Sequence, residues 1–134
     1  MYLLDTNIVS ELRRPRPHGA VLAWLRAVDD HALHISAVTL AEIQAGVEIT
    51  REQDAAKAEE IEHWLDQVAT TFNVVAADAA VFRQWARLMH RQQDHLIEDA
   101  LIAATALVHG WTVATRNVAD FTSFDVPILN PFDA

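Results

Sequence analysis

The sequence predicts an α/β fold, a central parallel sheet of four to five strands with helices on both faces. Two observations carry that expectation. Short apolar, strand-like runs alternate with longer stretches of helical period along the whole chain, which is the pattern of parallel βαβ units. The 134 residues contain no internal repeat, low-complexity segment or linker, so 1–134 is expected to be one domain, able to bury roughly two thirds of its unfolded surface.

Taken in order, Tyr2 to Leu4 reads as a short buried strand and "NIVSELRR" as a short helix closed off by Pro15 and Pro17. Val21, Trp24, Leu25 and Val28 recur at i, i+3, i+4 and i+7, the inner face of a second helix. "ALHIS" sets Leu33 and Ile35 at period two, a second strand. A helix from about Val38 to Ile49 follows, then a longer one from about Asp54 to Phe72 with Ala58, Ile61, Leu65, Val68 and Phe72 on one face. "FNVVAA" is a third strand, and Asp78 caps a helix that turns Val81, Trp85 and Leu88 inward. From Asp99 to His109, "DALIAATALVH" is apolar nearly all round, as in a helix buried on most sides, and Gly110 is placed to end it. "WTVAT" is a fourth strand and "VPIL" a fifth.

Composition excludes several chemistries. Without cysteine there is no disulfide framework, thiolate nucleophile or zinc-thiolate site. No apolar run approaches the roughly 18 residues of a membrane span, and no basic leader precedes the first strand. A cytoplasmic protein that engages no membrane is therefore expected. A formal net charge of -9 disfavours passive binding to a polyanion, so a nucleic-acid partner would require local neutralisation of the acids.

In open α/β sheets the ligand site lies outside the carboxyl ends of the strands, where strand order reverses. Asp5 sits at such an end, as does Thr115. Asp5 is either a helix N-cap or a functional carboxylate. Glu42 falls within the stripe Val38, Ala41, Ala45, Ile49 and is expected either to face inward, where a carboxylate needs a cationic partner, or to be an edge residue turned to solvent or paired with an arginine. Asp99 precedes the buried helix, as a cap or as part of a site, with Glu98 beside it. Asp120, five residues beyond Thr115, is either an ordinary loop residue or a fourth acid near the strand tip.

Four segments, "LLDTNIVSE", "SAVTLAEIQAG", "EDALIAATAL" and "TVATRNVADF", together resemble the PIN-domain ribonucleases, specifically the VapC and FitB type toxins of toxin-antitoxin modules. The resemblance runs through nearly the whole chain, including the terminal "ILNPF". It implies that Asp5, Glu42, Asp99 and Asp120 form an acidic catalytic quartet that binds metal. It also implies that Thr6, Asn7 and Thr115 are polar support, with Glu98 and Arg116 as neighbours. Oxygen-only ligands suit a hard cation, Mg²⁺ or Mn²⁺, which would activate water for in-line attack on an RNA phosphodiester and leave a 5′-phosphate and a 3′-hydroxyl. The implied partners are RNA, a cognate antitoxin and a second copy of the chain in a homodimer. The alternative is a catalytically silent PIN fold that binds metal or protein.

Arg13, Arg14 and Arg16 cluster after the first helix and are the candidates for phosphate contact, or simply cations at a helix end. Arg83, Arg87 and Arg91 recur every four residues and read as a solvated face. Trp24 and Trp64 read as core, or as the wall of a groove for an antitoxin peptide. The seven histidines show no metal-ligand spacing. An aspartyl-phosphate phosphatase would want a second aspartate at position 7, where this chain has Asn, and a receiver-like domain would want a lysine on a late strand, where there is none.

Overall fold

The computed structural model describes residues 1–92 and 94–133. Five strands, β1 (Tyr2–Leu4), β2 (Leu33–Ser36), β3 (Asn73–Val75), β4 (Thr112–Ala114) and β5 (Ile128–Leu129), form one sheet in the order β3-β2-β1-β4-β5. Every pair is parallel, as expected. Among the described residues the helices are α1 (Thr6–Glu11), α2 (Gly19–Ala27), α3 (Ala37–Arg51), α4 (Ala55–Thr71), α5 (Ala79–Met89), α6 (Ile97–His109) and α7 (Val118–Thr122).

The pleat sorts the strand residues onto two cores. Leu3 and Val113 face one cluster, with Ala100, Ile102, Ala103 and Ala106 of α6 and with Phe121 and Phe124. Leu4, Ile35 and Ala114 face the other, with Ile8, Val9, Val21 and Val68. Helices therefore cover both faces, and each fully buried Leu or Phe contributes roughly 2 kcal/mol. Trp24 and Trp64 are half-buried against the second core, where Trp24 meets Tyr2 edge-on at 5.0 Å.

Local chemistry ends the elements where the sequence suggested. The Asp78 carboxylate accepts the Val81 N–H at 3.0 Å and starts α5. Gly110 adopts φ 73°, and the following Trp111 N–H donates to the Ala106 carbonyl at 2.9 Å, closing α6 with a left-handed turn. Two expectations change. Arg91 lies beyond the end of α5 at Met89, at φ 67°, so it does not continue a helical stripe with Arg83 and Arg87. The segment around Asp120, read as loop, is the short helix α7, whose five residues are too few to show a period.

Candidate active site

The strand order places the switch point between β1 and β4. Leu4 pairs with Ala114, so the next residues, Asp5 and Thr115, emerge side by side. Both are buried: Asp5 is 4% exposed and Thr115 is 0% exposed. The Asp5 carboxylate accepts three hydrogen bonds, from the Thr6 N–H at 2.8 Å, the Asn7 side-chain amide at 3.0 Å and the Thr115 hydroxyl at 2.8 Å. Asp5 thus caps α1 and also occupies the strand tip. Burial nonetheless pushes its pKa up, the three donors oppose that, and the charge of Asp120 raises it further. Asp120 itself is exposed in the first turn of α7, within electrostatic reach of Asp5.

β2 ends at Ser36, whose hydroxyl caps α3 by accepting the Val38 N–H at 3.0 Å. That start sets Thr39 and Glu42, three residues apart, on the side of α3 that meets α1. The Thr6 hydroxyl lies 3.2 Å from Glu42 Oε1 and 3.1 Å from the buried Thr39 hydroxyl. Burial raises the Glu42 pKa from 4.5 to about 7, against the Thr6 hydrogen bond and with help from the charges of Asp5, Glu98 and Asp99.

The inward stripe expected around Glu42 is not the buried one. Ala41, Ala45 and Ile49 are exposed, Ile49 to 65%. The buried side of α3 carries Thr39 and Val47 instead. Glu42 reaches the site because it borders that buried side.

Asp99 is not a cap. α6 begins at Ile97, after Leu96, and Glu98 and Asp99 lie in its first turn. Because α6 runs down to Gly110 and directly into β4, its first turn lies at the same sheet edge as Asp5. The influence of Glu98 and Asp99 on Glu42 shows the electrostatic consequence. Sequence reasoning placed Glu98 only as a neighbour and missed Thr39, whose signal was its spacing of three from Glu42.

The rest of the supporting set is connected. Asn7 bridges Asp5 and Thr115 through its amide and accepts the Arg116 backbone N–H on its Oδ1 at 3.2 Å. Arg13, Arg14 and Arg16 are exposed around clefts that begin at Asn7 and continue to Arg116. Arg14 pairs with the buried Glu11 at 3.3 Å.

The donor set is oxygen-only, and the raised proton affinities of Asp5 and Glu42 mark a place where negative charge is under-compensated. A divalent cation suits both facts. Among the described residues no three His, Asp or Glu side chains converge into a ready-made cage.

Comparison with known proteins agrees with this architecture. The PIN domain profile matches residues 2–125. The plasmid stability protein StbB of Pseudomonas syringae pv. tomato is 35% identical over 141 residues, covering 100% of both chains. The VapC ribonuclease Y4jK of Sinorhizobium fredii is 35% identical over 144 residues, covering 99% of each. The crystal structure of FitAcB from Neisseria gonorrhoeae superposes with a TM-score of 0.86 at 33% identity over 100% of both chains. A toxin-antitoxin complex from Klebsiella pneumoniae matches at 0.74 and 26% identity over 98% of each. With a profile match over residues 2–125 and end-to-end similarity to these relatives, the chain belongs to the PIN-domain family, in the branch that holds the VapC and FitB type toxins.

Proposed function

We propose that this chain is a metal-dependent endoribonuclease toxin, a hydrolase of RNA phosphodiester bonds that a cognate antitoxin holds inactive. The observation that carries the reading is the pair of under-compensated carboxyls, Asp5 and Glu42, at the switch point of a chain similar end to end to a VapC ribonuclease. Asp5, Glu42, Asp99 and Asp120 are the carboxylates that would hold Mg²⁺ or Mn²⁺, one or two of them directly and the others through charge or bound water. When bound, the ion supplies an acidified, oriented water and screens charge developing on the phosphoryl oxygens.

The chain's own residues prepare that site. Three donors orient the Asp5 carboxylate before anything binds, which lowers the cost of organising the reactive state. Thr6 fixes Glu42 in the same way. With the Glu42 pKa at about 7, a cation held there would have to displace the proton, so affinity for the ion would rise as pH climbs through that value. The whole of 1–134 works as one domain and pairs with a second copy. The toxin-antitoxin character of the solved Klebsiella pneumoniae relative supports a protein inhibitor, and an acidic surface suits a basic one. No helix among the described residues is long and apolar enough to cross a membrane, and a chain without cysteine suits the reducing cytoplasm.

The test is cleavage of a panel of structured RNAs, tRNA included, with Mg²⁺ or Mn²⁺, against EDTA and Asp99→Asn controls. Metal-dependent cutting that both controls abolish supports the proposal. No cutting by antitoxin-free protein that binds Mn²⁺ would replace it with a silent PIN fold.

A further inference from the structure

We infer that the cleft between the α1–α2 connection and the C-terminal turn is a binding subsite for single-stranded RNA flanking the cut, built around Arg16, Arg116 and Phe132. This rests on the ribonuclease reading. The observations are of charge, shape and continuity. Two adjoining clefts of about 480 and 580 Å³ open on this side of the molecule. Arg13, Arg14, Arg16 and Arg116 line them, four of the ten Lys and Arg in a chain of net charge -9. So large a share in one place gives the acidic protein a local surface that a polyanion can approach.

The cations are held ready. The buried Glu11 accepts the His18 backbone N–H at 3.1 Å and the Arg14 guanidinium at 3.3 Å, which ties the Pro15–Arg16–Pro17 segment back onto α1. Among the described residues Arg13, Arg16 and Arg116 form no ion pair, leaving their guanidinium groups for phosphate. The Arg116 guanidinium lies over the Phe132 ring at 4.6 Å, and His18 meets that ring edge-on at 5.1 Å. A flat cation braced on an aromatic ring is a platform for an unpaired base, and phosphate contacts beside it are the arrangement single strands require. The cleft is also continuous with the proposed catalytic edge. Asn7 lines one end of it, accepts the Arg116 N–H and bonds Asp5 directly.

The test compares Arg16→Ala, Arg116→Ala and Arg116→Lys with wild type and with Arg26→Ala, a control cation on α2. The probe is a fluorescein-labelled single-stranded RNA of about 20 nucleotides, and all variants are first checked for unchanged melting temperature. Cleavage is read as KM against kcat, and binding is read separately by anisotropy in EDTA over a salt series. Arg16→Ala and Arg116→Ala should each weaken binding about tenfold, appear in KM more than in kcat, and lower the salt slope by about 1. Arg116→Lys should restore the slope and leave affinity reduced, because ammonium keeps the charge and loses the stacking plane. Arg26→Ala should match wild type. Wild-type affinity and slope in both alanine variants would overturn the subsite, as would loss of antitoxin binding with RNA binding unchanged. A wild type that binds through this cleft and cuts no RNA would instead defeat the ribonuclease reading alone.

Discussion

Replacing Glu42 with Gln should stabilise the ion-free protein above neutral pH. Burial, reinforced by the charges of Asp5, Glu98 and Asp99, raises the Glu42 pKa from 4.5 to about 7 in the fold. A group whose pKa is raised on folding contributes stability that is complete below its unfolded pKa and is lost as pH climbs through the folded one. The window for Glu42 therefore runs from about pH 4.5 to about pH 7. At about 1.4 kcal/mol per tenfold change in proton affinity, the full rise corresponds to about 3 kcal/mol. Glu42 is only half-buried, and solvent screening reduces that to about 1–2 kcal/mol. Gln keeps the oxygen that faces Thr6 and removes the titration. Urea unfolding in EDTA should give wild type and Glu42→Gln equal stability near pH 4.5, with the variant ahead by about 1–2 kcal/mol near pH 8. Excess Mg²⁺ should close the gap by stabilising wild type more than the variant. Comparing the two proteins cancels every titrating group that Glu42 does not act on, and the relief of Asp5, Glu98 and Asp99 works in the same direction, so stability curves that stay parallel from pH 4.5 to pH 8 would refute the reasoning.

Other perturbations follow from individual contacts. Thr115→Val removes a buried donor to Asp5 and an acceptor for the Asn117 N–H, and should cost about 1–3 kcal/mol in denaturant unfolding. The same change should raise the Asp5 pKa further, since of its three donors the Thr115 hydroxyl does most to hold it down. Glu11→Ala strands the His18 N–H and frees the Arg14 side chain. It should cost about 2 kcal/mol and speed hydrogen exchange across residues 12–18, whereas unchanged exchange would mean the Pro segment holds its own shape. Gly110→Ala meets no atom within 4 Å, so its cost is conformational alone, about 1 kcal/mol for a left-handed φ of 73°, readable as a lowered Tm.

Much of the fold was legible because its signals are local. The apolar run of α6, the cap at Asp78 and the stop at Gly110 depend on neighbours within a turn, and the chain declares them without help. The position of Asp5 was legible for the same reason, because a strand tip followed by a helix start is a feature of consecutive residues. Glu42 shows where such reasoning fails. The residue meets Thr6 beside Asp5, yet Ala41, Ala45 and Ile49, the stripe that pointed to it, face solvent. Alanine at helical spacing cannot distinguish an inner from an outer face, since it fits either. α7 escaped notice because five residues hold too little period to read, and the pull of Glu98, named only as a neighbour, was not legible because its charge matters through a residue of another helix.

By itself, then, the order of residues determined the alternation of strands and helices, the candidate acids and the absence of thiol chemistry. Sheet order was decided only in three dimensions, because pairing β1 with both β2 and β4 depends on contacts between segments more than thirty residues apart. The same holds for the electrostatics. That Asp99 and Glu98 press on Glu42, that Asp120 acts on Asp5, and that a pKa near 7 results are properties of distance and burial. Neither quantity exists until α6 has been laid against the sheet with its first turn at the edge where Asp5 emerges.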